Sequence, residues 1–157
     1  MIVAGPLSRM HQISRLLIAK SNPLGQGKMN NCIIVLDADK KQCQKLCELL
    51  ETRQLRVKSI NSFSYLEECL DKGDCISVLL DIDTISVDNR TIRDLTISFP
   101  DVYFFCLSER PFHPELHDAI CYHIYACINK PVDPDELFYW LRSINENDRD
   151  SKDNLQA

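Results

Sequence analysis

The stretch Ile76-Ser77-Val78-Leu79-Leu80-Asp81 is apolar almost throughout and ends on a carboxylate. An uninterrupted apolar run of this length suits a central strand covered on both faces, as in a parallel sheet. A carboxylate at its C-terminal tip sits at the edge where open α/β sheets place their chemistry. Three other strand-like runs end on polar residues that would meet it. Cys32-Ile33-Ile34-Val35-Leu36 leads into Asp37, Ala38 and Asp39; Val102 to Leu107 leads into Ser108; Tyr125 to Ile128 leads through Asn129 to Lys130-Pro131. Carboxylates, a hydroxyl and an ammonium group gathered at strand ends suit a phosphoryl group, whose charge must be met by cations and donors.

Between these runs the periodicity changes to that of helices. Cys43, Leu46, Cys47 and Leu50 recur at i, i+3, i+4 and i+7, predicting a helix over 40–52 with Asp39 and Gln42 as its capping box. A strand is expected near 55–60 and a second helix near 63–72, started by Ser64 and Glu67 and stopped at Gly73. Ile92, Leu95 and Phe99 mark a helix near 90–98, and a further one is expected near 114–122. The last helix begins with Asp133 as N-cap, Pro134 at the first helical position and Glu136 at the third. Leu137, Trp140, Leu141 and Ile144 form its buried stripe, with Phe138 and Tyr139 pointing outward. Strict strand-helix alternation predicts parallel strands, right-handed crossovers and helices on both faces of one sheet.

With 157 residues, 45% of them hydrophobic, the chain suits one domain with a real core. Its net charge of −5 argues against direct DNA binding, which needs clustered Lys and Arg. The charge is uneven. Residues 1–30 carry Arg9, Arg15, Lys20 and Lys28 and no acid, so the rest of the chain carries −9. We divide the sequence into a basic N-terminal extension over 1–30, a domain over 31–145 and a polar, frayed tail over 146–157. For the extension three readings stay open: an amphipathic helix on Leu7, Met10, Ile13 and Leu17, a disordered segment, or a true start at Met29. No apolar run is long enough to span a bilayer. The eight cysteines include no C-x-x-C pair, which favours free thiols and a cytoplasmic setting over disulfides or zinc. His113 and His117 at i, i+4 have metal-like spacing but no completing ligand, and exposed or capping roles are expected.

Four pieces in register, IIVLDAD (33–39), SVLLDID (77–83), FFCLSER (104–110) and INKPVDPDEL (128–137), resemble the receiver domain of two-component response regulators. The resemblance spans Ile33 to Ile144. It implies a flavodoxin-like (βα)5 fold, a doubly wound parallel sheet with strand order 2-1-3-4-5. It implies that Asp81 accepts a phosphoryl group, that Lys130 pairs with a phosphoryl oxygen and that the Ser108 hydroxyl bonds another. It implies Mg²⁺ as cofactor, held by the carboxylates of Asp37 and Asp81 and the backbone carbonyl of Asp83. Asp39 is either a further ligand or only a helix cap.

The expected function is that of a stand-alone receiver, a phosphorylated signalling switch in a phosphorelay rather than an enzyme. Its partners would be a histidine kinase or phosphotransfer protein and an unknown downstream protein. The face of the fourth helix, fifth strand and fifth helix is the expected surface for partner docking or a homodimer.

The sequence departs from the family pattern at three places. Ala38 stands where a second acid is usual, which weakens the metal site. Cys127 replaces an aromatic ring that moves with the Ser/Thr hydroxyl. Ile85 replaces a common Pro, and nearby Asn89 a usual Gly. Two other readings use the same residues. In a phosphorylation-independent pseudo-receiver, Asp37 and Lys130 form a structural ion pair and Ser108 only caps a helix. In a haloacid dehalogenase-like phosphatase, Leu80-Asp81-Ile82-Asp83-Thr84 supplies the D-x-D nucleophile and acid.

Overall fold

The computed structural model describes residues 32–156; the expectations for 1–30 lie outside the described residues. Five strands, β1 (Cys32–Leu36), β2 (Arg56–Ile60), β3 (Cys75–Asp81), β4 (Tyr103–Ser108) and β5 (Ala126–Asn129), form one parallel sheet in the order β2-β1-β3-β4-β5. The flavodoxin-like order 2-1-3-4-5 is therefore present. Every residue of β3 is buried, as its apolar run requires, whereas edge strand β2 is buried only at Ile60.

Five helices connect or follow the strands: α1 (Lys40–Glu51), α2 (Leu66–Asp71), α3 (Asn89–Ser98), α4 (His117–Tyr122) and α5 (Pro134–Gln156). They cover both faces. Leu79 of β3 joins Val35, Phe105 and Ile128 in a cluster closed by Leu46 and Leu50 of α1 and Leu137 and Leu141 of α5. Val78 and Leu80 turn to the other face, where Leu66 and Leu70 of α2 and Leu95 of α3 cover them. The period of two along the strand thus feeds two cores. Each fully buried Leu or Phe contributes about 1.5–3 kcal/mol.

Start signals act in part as the sequence predicts, although the Asp39 N–H donates to Asp37 rather than to the Gln42 side chain that would complete the capping box. The Asp39 carboxylate accepts hydrogen bonds from the Lys41 and Gln42 N–H groups, and Asp133 accepts one from the Asp135 N–H. Asp88 caps α3 through the Thr91 N–H. Gly73 takes φ 77° just beyond α2, the left-handed conformation expected after a helix end. All eight cysteines are free thiols.

Several expectations need correction. The second helix does not start with Ser64 and Glu67: Ser62 caps a 3-10 turn, Phe63–Tyr65, that precedes α2. Helix α5 does not stop near residue 145 but continues to Gln156, because nothing in 145–156 is Gly or Pro. Phe138 is buried, not outward-facing: it joins the α1 side of the core and the Arg53 guanidinium lies 4.4 Å from its ring centroid. Trp140 is only partly buried, edge-on to Tyr125 and Tyr139. His113 is buried before α4 rather than exposed, with Nε2 3.0 Å from the Arg110 carbonyl oxygen. Asn89, at the position of a usual Gly, has no positive φ. It begins α3, and its side chain ties that helix to the α4 region by accepting from the Ala119 N–H and donating to the Glu115 carbonyl.

Candidate functional site at the C-terminal edge of the sheet

The parallel register brings the polar strand ends together. Asp81 lies beside Leu107 in the β3–β4 pairing, and Ser108 beside Asn129 in the β4–β5 pairing. Backbone bonds carry the alignment past the strands: the Ile82 N–H donates to the Leu107 carbonyl and the Lys130 N–H to the Ser108 carbonyl. Asp37 follows β1 and its N–H donates to the Ile60 carbonyl. Asp37, Asp81 and Lys130 line one cleft with Glu109, Gln42 and Lys45. The Lys130–Pro131 peptide bond is cis.

Asp81 is 1% exposed and fully engaged. Its Oδ1 accepts from the Asp83 N–H at 3.0 Å and the Thr84 N–H at 3.1 Å. Its Oδ2 lies 2.7 Å from Lys130 Nζ. Two backbone amides fix the orientation of the carboxylate and leave Oδ2 facing the ammonium group. Charge-assisted bonds of this kind are about twice as strong as neutral ones.

Lys130 also reaches Asp83, with Nζ 3.0 Å from Oδ2. Burial pushes the Lys130 ammonium pKa down, but bonds and charge from Asp81 and Asp83 more than offset this and leave it raised. The pairing differs from the Asp37–Lys130 ion pair of the pseudo-receiver reading. The Asp37 carboxylate is held instead by neutral donors: Oδ1 accepts from the Asp39 N–H at 2.8 Å and from the Thr84 hydroxyl at 2.8 Å. Thr84 Oγ1 in turn accepts from the Ala38 N–H at 3.1 Å. Burial pushes the Asp37 carboxyl up; these bonds oppose it, and the nearby Asp81 charge adds to the rise.

Ser108 is more than a helix cap. Its hydroxyl donates to Asp83 Oδ1 at 2.6 Å and accepts from the Arg110 N–H at 3.1 Å. Asp83 Oδ2 also accepts from the Glu109 N–H at 2.8 Å. Burial pushes the Asp83 carboxyl up, but the Ser108, Glu109 and Lys130 bonds outweigh it and hold the pKa at about 2.

Asp39 Oδ1 is turned to its own helix as a cap, and Asp39 is not among the residues that line the cleft. Among the described residues no three His, Cys, Asp or Glu side chains are grouped as a metal site. The donor chemistry still suits Mg²⁺, which is commonly held by one or two carboxylates plus phosphate and water. Asp37 and Asp81 are such a pair, lining one cleft with Lys130, and Asp83 brings a further carboxylate to Lys130 Nζ.

The receiver resemblance gives no role to two contributors: the Asp83 side chain, whose carboxylate enters only the phosphatase reading, and Thr84, which bridges Asp37 and Ala38. The D-x-D-T spacing itself was the available signal. A turn after Asp81 directs residues 83 and 84 back over the strand ends. Cys127 pairs with Cys106 across β4 and β5 and is exposed in a cleft shared with Ser108, Ile82, His117 and Cys121.

No family model matches the sequence, and no curated protein matches it. Solved structures do match. A signal receiver domain of an HD domain-containing protein from Pseudomonas fluorescens Pf-5 is 19% identical, with a TM-score of 0.70 over 80% of this chain and 94% of that one. A CheY-like response regulator receiver domain protein from Methanospirillum hungatei JF-1 is 15% identical, with a TM-score of 0.67 over 76% of this chain and 98% of that one. The chemotaxis response regulator CheY4 of Vibrio cholerae is 10% identical, with a TM-score of 0.62 over 73% and 98%. No helix among the described residues is long and apolar enough to cross a membrane. At these identities the likeness is one of fold, and residues 32–156 have the CheY-like fold of response regulator receiver domains.

Proposed function

We propose that the chain is a receiver-type signalling switch whose Asp81 accepts a phosphoryl group from a phosphohistidine donor. The observation that carries this reading is the buried Asp81 carboxylate, with Oδ1 held by two amides and Oδ2 2.7 Å from Lys130 Nζ. Oδ2 is then the nucleophile. It forms a bond to phosphorus as the bond from phosphorus to the donor nitrogen breaks, giving an acyl phosphate. Lys130 neutralises charge on the transferred group, and the Ser108 hydroxyl and Glu109 N–H are donors for its oxygens. Asp37 and Asp81, with the Asp83 carbonyl, are the groups that would hold Mg²⁺, whose charge when bound offsets that of the phosphoryl oxygens.

A histidine kinase or phosphotransfer protein would supply the group. The α4–β5–α5 face, where Tyr122 and Tyr139 are exposed, would meet a downstream partner or a second copy. Free cysteines fit a reducing, cytoplasmic setting.

The test is labelling with a small acyl phosphate donor in the presence of Mg²⁺. One phosphoryl group per chain in the wild type and none in Asp81→Asn is expected; equal labelling of both chains refutes the assignment. The phosphorylation-independent reading is favoured by one observation, the Asp83 carboxylate resting on Ser108, Glu109 and Lys130. A phosphatase reading would need turnover that depends on both Asp81 and Asp83.

A further inference from the structure

The donors that a phosphoryl group on Asp81 would require are already engaged by another anion. The Ser108 hydroxyl has one proton, and it points to Asp83 Oδ1 at 2.6 Å. The Glu109 N–H and Lys130 Nζ both reach Asp83 Oδ2, at 2.8 and 3.0 Å. Both carboxylate oxygens are therefore bonded, and three donors from two different strand ends converge on them. The Asp83 side chain is 22% exposed although the residue as a whole is exposed.

We propose that Asp83 is a built-in competitor of the phosphoryl group: its carboxylate occupies the oxyanion subsite beside Asp81, and the acceptor site opens only when that carboxylate swings away. The proposal rests on the receiver reading given above and adds a gate to it. Three features make the geometry suited to a gate. The Asp83 backbone is fixed by its N–H to Asp81 Oδ1, so rotation about the side-chain bonds alone can vacate the subsite. Asp83 is exposed between half-buried Ile82 and Thr84, so the departing carboxylate goes to water. The replaced and incoming groups are both anions, so Lys130 and Ser108 exchange one acceptor for another with no buried donor left unpaired.

A partner that loosens the 82–84 turn would speed phosphorylation. A partner that reads only the Ser108 position would bind the unmodified chain.

The experiment uses the full chain with Asp83→Asn, which keeps side-chain volume, and Asp83→Ala, which removes the competitor. Beryllofluoride with Mg²⁺ is the probe, and amide resonances of Ser108 and Glu109 are the readout. Without any added anion, both substitutions should move the Glu109 amide resonance, because Ala removes its acceptor and Asn replaces a charged oxygen by a neutral one. In Asp83→Ala, beryllofluoride should bind roughly tenfold or more tightly than in the wild type, since it no longer displaces a carboxylate held by charge-assisted bonds. An unmoved Glu109 resonance overturns the gate. Equal, measurable affinities in the wild type and both variants overturn the gate while leaving Asp81 as acceptor. No beryllofluoride response in any of the three chains overturns the acceptor reading and the gate together.

Discussion

Replacing Lys130 by Met removes the ammonium group and keeps most of the stem that packs into the cleft. In the wild type Nζ bonds Asp81 at 2.7 Å and Asp83 at 3.0 Å, and the lysine side chain is only 12% exposed. Asp83 keeps its Ser108 and Glu109 donors in the variant, but Asp81 Oδ2 loses its cation in a residue that is 1% exposed. Breaking one side of a buried pair costs about 3–5 kcal/mol, and the open cleft places this case at the lower end, about 3 kcal/mol.

Neutral pH is the right condition. The Lys130 contribution, with its folded pKa raised, is fully present below the ordinary value of 10.5 and fades only as pH rises beyond it. The Asp83 contribution, with its folded pKa depressed, is present above the ordinary value of 3.8 and is lost as pH falls through about 2. Urea unfolding at pH 7 should therefore show Lys130→Met about 3 kcal/mol less stable than wild type. Asp81→Asn should fall within about 1 kcal/mol of wild type, because Lys130 retains Asp83 and one of three crowded carboxylates is gone. Combined with Lys130→Met, Asp81→Asn should restore part of the loss. A Lys130→Met chain within about 0.5 kcal/mol of wild type, the range of an ordinary surface substitution, would refute this electrostatic account.

Two further substitutions probe the Asp37 side of the cleft. Burial raises the Asp37 carboxyl, so its ionisation in the folded chain opposes stability as pH rises through its folded value. Asp37→Asn should then have the higher melting temperature at pH 7, with the gain vanishing as pH falls below the ordinary carboxylate value; a lower melting temperature at pH 7 would contradict the sign. Thr84→Ala should cost about 1 kcal/mol in urea unfolding by removing the bridge between Asp37 and the Ala38 N–H, and Thr84→Ser should recover it; an unchanged midpoint in Thr84→Ala would rule the bridge out as a stabilising contact.

What could be read in the sequence followed from patterns with strong local causes. The apolar run before Asp81 marked a strand covered on both faces, and β3 is buried at every residue. Asp39 and Asp133 marked helix starts because a short carboxylate satisfies amides that no helix turn can. Strand-helix alternation then brought Asp37, Asp81, Ser108 and Lys130 to one edge. The rest depended on directions that spacing does not encode. Phe138 looked outward on a helical wheel, yet the Arg53 guanidinium and the α1 side of the core cover it. The continuation of α5 had no apolar stripe to announce it. The receiver resemblance assigns Asp83 only its backbone carbonyl, because only the turn after β3 reveals that its carboxylate folds back onto Ser108, Glu109 and Lys130.

The central claim, that Asp81 is the phosphoryl acceptor, is tested most directly by mapping the modified residue. Wild-type and Asp83→Asn chains would be incubated with a small acyl phosphate and Mg²⁺, digested, and sequenced by mass spectrometry before and after hydroxylamine. The account predicts a hydroxylamine-labile phosphoryl group on the peptide containing Asp81, accumulating faster in Asp83→Asn. A hydroxylamine-stable label on a serine, or no label on either chain, would contradict it.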